Sequence, residues 1–173
     1  MTNAKREKIP VDRVLKNPVC FLAFGFGSGL SPIAPGTLGT LVAVPLYLLA
    51  SSMSLPAYLG LTLLMFLAGV WLCGRCEQIL GVQDHSGIVW DEFVGLFITL
   101  TAAPVTPGVL VAGFLLFRLF DVLKPWPIRW FDHRVHGGLG VMLDDVLAGL
   151  FAWLTLFALM QYGLISPDAI RID

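Results

Sequence analysis

The chain has 173 residues and a net charge of −1, with 57% hydrophobic and only 13% charged residues. Soluble domains carry about 25% charged residues, so this composition excludes an ordinary water-soluble domain and favours a protein whose solvent is lipid. The basic residues fall in a tail and in short connections rather than along one helical face, which argues against nucleic acid as a partner.

The elements predicted in chain order are dominated by apolar runs. A polar tail, 1–18, is followed by 19–37, which is so rich in glycine and proline that we expect a loop or re-entrant piece covered by protein. Five runs, each near the ~20 residues that cross a bilayer, then cover 38–53, 55–73, 88–103, 107–123 and 141–163. We therefore predict an all-α integral membrane bundle of about five short spans, with one catalytic domain over 19–165 and a short tail, 166–173.

Basic residues predict which end of the bundle faces the cytoplasm. With a cytoplasmic tail, five spans place the connections 74–87 and 124–140 on the cytoplasmic side, whereas the opposite turns, 54–56 and 104–107, carry no basic residue. Cytoplasmic loops are enriched in Lys and Arg, so this asymmetry supports the orientation. If 38–53 were instead a re-entrant hairpin, the later segments would be reversed. The basic residues on the predicted cytoplasmic side are Lys5, Arg6, Lys8, Arg13, Lys16, Arg75, Lys124, Arg129 and Arg134.

Three predicted spans place acidic residues at that interface. Asp91 and Glu92 begin the third span, Asp121 ends the fourth, and Asp144 and Asp145 begin the fifth. An ionisable group in a span costs about 2.5–3.5 kcal/mol on insertion scales, and neighbouring carboxylates also repel one another. A divalent cation would offset this, and oxygen-only ligands favour Mg²⁺. The competing interpretation is a set of interfacial charges, with one acid of each adjacent pair facing a neighbour or capping a helix.

The segment 117–128, FRLFDVLKPWPI, predicts a phosphate site beside these acids. Arg118, Asp121 and Lys124 are spaced i, i+3 and i+6, so consecutive members share a helix face, and Pro125 ends the helix. Cations next to a metal-binding carboxylate suit a phosphate ester. The alternative is an intrahelical Arg–Asp pair with an anchoring lysine.

The segment 27–40, GSGLSPIAPGTLGT, opens into a predicted helix. Backbone N–H groups at such a helix start bind anions, and the hydroxyls of Thr37 and Thr40 could add donors. No lysine follows the glycines, so the segment is not a Walker A loop. A purely structural turn is the alternative.

The cysteines and histidines indicate no metal centre. Cys73 and Cys76 form a C-x-x-C pattern, but no βαβ pattern surrounds it, which favours chance spacing at a helix end. The odd number of cysteines argues against a disulfide scaffold. The histidines show no zinc spacing and are expected in loops or at the surface; they are His85, His133 and His136.

Four stretches in order resemble the phosphatidylglycerophosphatase A family of bacterial membrane phosphatases. They are GSGLSPIAPGTLGT, DHSGIVWDEFVG, FRLFDVLKPWPI and GGLGVMLDDVLAG, and they are spread over about residues 25 to 150. The resemblance implies a Mg²⁺-dependent phosphoric monoester hydrolase of phospholipid biosynthesis, which converts phosphatidylglycerophosphate into phosphatidylglycerol and phosphate. It also implies a multi-pass protein of the bacterial inner membrane whose active site faces the cytoplasm.

The resemblance further implies the site residues. The catalytic set is Asp91, Glu92, Asp121, Asp144 and Asp145, and Asp84 joins the same five as a Mg²⁺ ligand. Thr37 and Lys124 are the implied phosphate contacts, to which the spacing argument adds Arg118. The sequence gives no expectation for the oligomeric state.

Three other membrane functions compete with this interpretation. A CDP-alcohol phosphotransferase-like synthase also uses clustered aspartates and Mg²⁺, but it would place several acids along one helix, whereas these are divided among three spans. A cation transporter would continue its polar residues through mid-membrane, whereas the second and fifth runs are almost purely apolar past their ends. A non-catalytic membrane scaffold would leave the clustered carboxylates unexplained.

Overall fold

The structure is a computed structural model that describes residues 9–83 and 85–166, with the side chains of 131–133 outside the description. The described part is helical and contains no strand, which confirms the predicted all-α class. A short 3₁₀ helix covers Ser28–Leu30. The α-helices of the described part are α1 (Val11–Leu15), α2 (Pro18–Ala23), α3 (Pro35–Ala50), α4 (Leu55–Leu80), α5 (Trp90–Thr99), α6 (Pro107–Leu123), α7 (Ile128–Arg134) and α8 (Gly137–Gln161).

The segment before α3, which includes α2, packs against the C-terminal end of α4. The Asn17 side chain caps α2 by accepting hydrogen bonds from two backbone N–H groups. Ala23 and Phe24 are buried in this segment, and the chain reverses just after them through Gly25 and Gly27, both with positive φ. Part of 19–37 is therefore helical rather than a loop, and its buried side chains contact protein.

A disulfide joins Cys20 of α2 to Cys76 of α4, with their Cα atoms 5.0 Å apart. Cys73 is buried and is the free cysteine of the described part. Cys73 and Cys76 are thus not partners, in agreement with a chance spacing. The odd number of cysteines argued against a disulfide scaffold, and the single Cys20–Cys76 bond was not predicted, because it joins residues distant in sequence that meet where α2 packs on α4.

The fourth helix is longer than its apolar run. It continues past Cys73 through polar residues to Leu80 and ends where Gly81 adopts a left-handed conformation with φ +71°. Arg, Glu and Gln are good helix formers, so the change from apolar to polar residues does not end the helix. The predicted boundary at Cys73 is wrong for that reason.

The fifth helix is shorter than its apolar run. It has 10 residues, and seven of them are buried at the centre of the bundle. Ten residues rise only about 15 Å, half the hydrocarbon thickness of a bilayer, so α5 alone does not span one. The predicted polar connection 124–140 also contains a helix, α7, which the search for apolar runs missed.

The central helices α5 and α8 meet through glycines. A Cβ atom on Gly149 would lie 2.6 Å from the carbonyl oxygen of Gly95, so neither backbone leaves room for a side chain. The Thr99 hydroxyl, which donates to the Gly95 carbonyl at 2.8 Å, also lies 3.4 Å from the Gly149 carbonyl oxygen. Small residues allow such close helix contacts in apolar surroundings. Because these two helices run side by side, the acids that begin α5 lie next to the acids of α8.

Two helices of the described part, α4 and α8, are long and apolar enough to cross a membrane, and α3 is a shorter apolar helix. Many large apolar side chains point outward, including Leu63 and Leu67 of α4 and Leu154 of α8. A water-soluble monomer rarely exposes so much contiguous apolar surface. The structure thus agrees with association with a membrane, whereas the full number of five spans stays a prediction.

Candidate active site

Five carboxylates from three helices converge at one end of the bundle. Asp145 of α8 lies within electrostatic range of the other four, which are Asp91 and Glu92 of α5, Asp121 of α6 and Asp144 of α8. Three of the five are buried, with 7% of Glu92, 8% of Asp144 and 3% of Asp145 exposed. Buried carboxylates require compensation by cations or hydrogen bonds, so their neighbours determine what the site can do.

Arg118 joins two of the helices through their acids. Its Nη1 atom donates a hydrogen bond to Glu92 Oε2 and lies 2.7 Å from Asp121 Oδ2, and the side chains of all three residues are mostly buried. The predicted intrahelical pair between Arg118 and Asp121 is therefore present. The contact with Glu92 is the part that spacing did not predict, because it joins α6 to α5.

Glu92 has a second partner, the hydroxyl of Thr40 in α3. The distance from Thr40 Oγ1 to Glu92 Oε2 is 2.7 Å, and Thr40 has no exposed surface. The hydroxyl also lies 2.9 Å from the backbone carbonyl of Gly36. Sequence analysis considered the Thr40 hydroxyl as a hydrogen-bond donor to a bound anion, whereas in the structure it donates to the carboxylate of Glu92.

The start of α3 approaches Glu92 and Arg118 so closely that there is no space for a side chain at Gly36. A Cβ atom at Gly36 would overlap Glu92 Oε1 and lie 3.0 Å from a terminal nitrogen of Arg118. This glycine of the segment 27–40 is thus required for close approach. Thr37, the predicted phosphate contact, follows it in the first turn of α3 and is half-buried.

Lys124 ends α6 in an unusual conformation. Its φ is +41°, in the left-handed region where helix ends usually carry glycine or asparagine. A lysine there is sterically unfavourable, by about 1–3 kcal/mol for a strained backbone position. Its ammonium group reaches α8 and forms an ion pair with Asp144 Oδ2. The conformation therefore delivers a cation to the carboxylates, as strained positions often do at functional sites.

Asp91 and Asp145 differ from the other three acids, because the ion pairs of Arg118 and Lys124 within the site are with Glu92, Asp121 and Asp144. Asp91 Oδ1 accepts a hydrogen bond of 3.0 Å from the backbone N–H of Glu92, so it helps to cap α5, as the competing interpretation expected. Among the described residues, the buried atoms Asp145 Oδ2 and Arg118 Nε have no hydrogen-bond partner. Unsatisfied buried polar atoms are rare in folded proteins, and a catalytic role or a bound ion is among their explanations.

Glu77 is a residue near the site that sequence analysis missed. It is buried on α4, and with Asp144 and His136 it lines a cavity of about 80 Å³ between α4 and the start of α8. The sequence places it in the predicted polar connection 74–87, where a solvent-exposed side chain is expected. A continued helical period would have found it, because Glu77 follows the buried Cys73 by four residues and so shares its helix face.

The donor set fits a hard cation only in part. Within residues 9–83 and 85–166, no three His, Cys, Asp or Glu side chains converge as the ligands of a metal ion do. The carboxylates do supply oxygen alone, and five of them face two cationic side chains, Arg118 and Lys124, so negative charge is in excess. Mg²⁺ commonly uses only one or two carboxylates and completes its shell with water and substrate phosphate, so oxygen ligands without a three-residue cluster are compatible with that ion.

The predicted site residues are therefore mostly brought together. The five acids, Arg118 and Lys124 lie at one end of the bundle, and Thr37 follows Gly36, the residue of α3 that approaches Glu92 and Arg118. The predicted ligand Asp84 lies outside the described residues. His85, next to it, is a loop residue that stacks on Phe24 with ring centroids 5.8 Å apart, in agreement with the expected loop position.

Comparisons with known proteins agree on one family. The family model of phosphatidylglycerophosphatase A matches residues 21–160. A phosphatidylglycerophosphatase A of Escherichia coli K12 is 50% identical over 139 residues, covering 80% of this chain and 81% of its own length. One from Haemophilus influenzae is 46% identical over 161 residues, covering 91% of this chain and 99% of its own.

A third relative carries a different name. A Bacteroides thetaiotaomicron protein, provisionally named as a phosphatidylinositol-3-phosphatase, is 42% identical over 138 residues, which cover 75% of this chain and 86% of its own. No solved structure matches the chain.

Proposed function

The chain belongs to the phosphatidylglycerophosphatase A family, and from this membership we propose that it hydrolyses the terminal phosphate of phosphatidylglycerophosphate in a Mg²⁺-dependent reaction. The products are phosphatidylglycerol and inorganic phosphate. The observation that carries the proposal is the family match over most of the chain, and the convergence of carboxylates with Arg118 and Lys124 supports it. The synthase and transporter alternatives have no support among the relatives.

The two cations suit the phosphate group of the substrate. Arg118 and Lys124 approach the carboxylates from the end of α6, and a phosphate monoester between them would exchange part of their ion pairs for contacts with its own oxygens. Charge that develops on the phosphoryl oxygens during hydrolysis would then be stabilised in a site largely shielded from water.

Mg²⁺ would be held by Asp145 and Asp91, the two acids that are not in ion pairs with Arg118 or Lys124. When bound, the ion would act as a Lewis acid toward the phosphoryl group. Asp121 or Asp144 would accept the proton of the attacking water, the phosphorus–ester oxygen bond would break, and the alcohol of phosphatidylglycerol would take up a proton on leaving. A carboxylate acting directly as the nucleophile is the alternative route.

The membrane placement follows from the substrate. With α4 and α8 crossing the bilayer, the acidic end of the bundle would lie at headgroup depth, where the phosphate of a lipid is found while its acyl chains stay in hydrocarbon. We infer that this end faces the cytoplasm of a bacterial inner membrane, with further spans contributed by the shorter apolar helices.

The direct test measures phosphate release by the purified protein in lipid vesicles that contain phosphatidylglycerophosphate. We expect release with Mg²⁺, loss with EDTA and recovery when Mg²⁺ is restored in excess. Asp145→Asn should lower the rate by about 100-fold or more, because it removes a buried charge from the site. Asp12→Asn is the matched control, since Asp12 is exposed and pairs with Lys16 on the surface.

Three outcomes would count against the parts of this proposal separately. Activity that persists in EDTA would exclude the metal, and full activity of Asp145→Asn would exclude the site. Preference for phosphatidylinositol-3-phosphate in the same vesicles would replace the substrate by the one that the Bacteroides relative is named for.

A further inference from the structure

An apolar groove of about 430 Å³ opens between α4, α5 and α8, and none of its lining residues is charged. Its volume lies within the range of ligand pockets, about 300–1,000 Å³. Its walls include Leu63 and Phe66 of α4, Val94 and Ile98 of α5, and Val146 and Leu150 of α8. We call this the α4–α5–α8 groove.

The groove begins next to the candidate active site and leads away from it. Val94 follows Asp91 by three residues and so lies on the same face of α5, and Val146 directly follows Asp145 in the chain of α8. From these two valines the wall continues for seven residues along each segment, to Thr101 just past the end of α5 and to Trp153 of α8, which corresponds to about 10 Å of helix. The groove thus runs parallel to the helix axes, from the acidic end toward the opposite end.

The polar side chains in the wall turn their donors away from the groove. The Thr62 hydroxyl donates to the carbonyl of Tyr58 at 2.9 Å, and the Thr101 hydroxyl donates to the carbonyl of Phe97 at 3.0 Å. The Trp153 indole N–H donates to the Thr101 carbonyl at 3.0 Å. Their donors are engaged by the protein, so the wall presents hydrocarbon and favours a hydrocarbon occupant.

From these observations we propose that the α4–α5–α8 groove binds one acyl chain of the lipid substrate, an inference that rests on the proposed phosphatase function. A lipid with its phosphate among the carboxylates must direct its chains along the bundle, and the groove starts one helical turn after Asp91 on α5 and one residue after Asp145 on α8. A chain gains little affinity by moving from bilayer hydrocarbon into this groove, because both surroundings are apolar. Its effect is to orient the phosphate toward the site.

The test uses two adjacent leucines of α4. Leu63 lies in the wall of the groove and is 59% exposed, whereas Leu64 is 63% exposed and lies outside it. Leu63→Trp fills the groove, and Leu64→Trp adds the same bulk to a neighbouring outward face. Phosphate release is measured with dipalmitoyl and with dibutyryl phosphatidylglycerophosphate in detergent micelles.

We expect Leu63→Trp to lower kcat/KM for the dipalmitoyl substrate by about tenfold, because a misplaced chain misplaces the phosphate. The dibutyryl substrate is too short to fill the groove, so its kcat/KM should change by less than about twofold. Leu64→Trp should leave both substrates unaffected. Equal effects of the two variants, or equal loss with both substrates, would overturn the proposal.

A second measurement separates this proposal from the proposed function. Phosphatidylglycerol and phosphatidylcholine, each with a diazirine on one acyl chain, are photolysed with the wild-type protein, and the labelled residues are identified by mass spectrometry. Preferential labelling of groove residues by phosphatidylglycerol, reduced in Leu63→Trp, supports the proposal even if the wild type releases no phosphate. Equal labelling by both lipids would assign the groove to bulk lipid and overturn it.

Discussion

At the scale of single residues, Glu92 depends on partners from two other helices. Arg118 of α6 and Thr40 of α3 both reach Glu92 Oε2, and only 7% of Glu92 is exposed. A buried carboxylate with one partner removed retains its desolvation penalty. Each partner therefore holds the carboxylate in place as well as stabilising it.

Thr40 can be tested without changing the shape of the core. Thr40→Val replaces the hydroxyl by a methyl group, so Glu92 loses its hydrogen bond from α3. Loss of a hydrogen bond to a buried charged group costs about 1.5–3 kcal/mol, and we expect kcat to fall by about tenfold or more because Glu92 is no longer held by α3. The measurement is phosphate release over a range of substrate and Mg²⁺ concentrations.

Thr40→Ser is the control for this change, since it keeps the hydroxyl and should retain most of the activity. Thermal unfolding in detergent separates a loss of position from a loss of fold. Equal activity of Thr40→Val and the wild type would show that Glu92 is held without Thr40.

The sequence predicted which residues would meet but not how they pair. Acids at the start of α5 and about two turns into α8 follow from the positions of the apolar runs, because those runs fix which end of each helix carries them. The contact between Thr40 and Glu92 joins residues 52 positions apart, and it depends on how deeply α3 is inserted. The hydrophobic periodicity of the sequence does not indicate how deeply α3 is inserted in the bundle, so the contact could not be predicted.

At the scale of helices, the position of the site depends on the contact between α5 and α8. Gly95 and Gly149 bring the two backbones together, and the acids of both helices lie toward their starts. Widening this contact would separate Glu92 from Asp145 without changing either residue.

Gly149→Ala tests this dependence. The added methyl would lie 2.6 Å from the Gly95 carbonyl oxygen, and overpacking of this kind typically costs about 1–3 kcal/mol. We expect a lower midpoint of thermal unfolding together with reduced phosphate release. In Gly60→Ala, by contrast, the methyl meets open space on α4, and alanine is favoured over glycine in a helix by about 1 kcal/mol.

Gly60→Ala should therefore be as stable and as active as the wild type, or slightly more stable. If Gly149→Ala behaves like Gly60→Ala, the close contact of the two helices does not position the site. Full stability with lost activity would instead indicate a local effect on Asp145.

Among the predicted runs, the boundaries of 107–123 were predicted best. The run 107–123 coincides with α6, since Pro107 begins it. The end of α4 was placed too early, because polar residues that favour helix follow its apolar run. The short helix α5 was predicted too long, because its buried residues and the apolar turn after it have the same hydrophobic composition.

At the scale of the whole molecule, charge is distributed unevenly between the two ends of the bundle. The end that holds the carboxylates also carries Arg118 and Lys124, with Arg129 and Arg134 on α7 nearby in the chain. The turns at the other end, 51–54 and 100–106, contain no charged residue. A membrane protein with this asymmetry is expected to place its basic end in the cytoplasm.

Single cysteines at the two ends test this orientation. Ser52 and Arg129 are exposed at opposite ends, whereas the native Cys20, Cys73 and Cys76 have no exposed surface and should contribute little background. In spheroplasts treated with a membrane-impermeant maleimide, we expect Ser52→Cys to be labelled at once and Arg129→Cys only after lysis. The reverse pattern would place the carboxylates outside the cell, and labelling of both before lysis would contradict a bundle that crosses the membrane. The orientation therefore decides from which leaflet a lipid phosphate can reach the carboxylates.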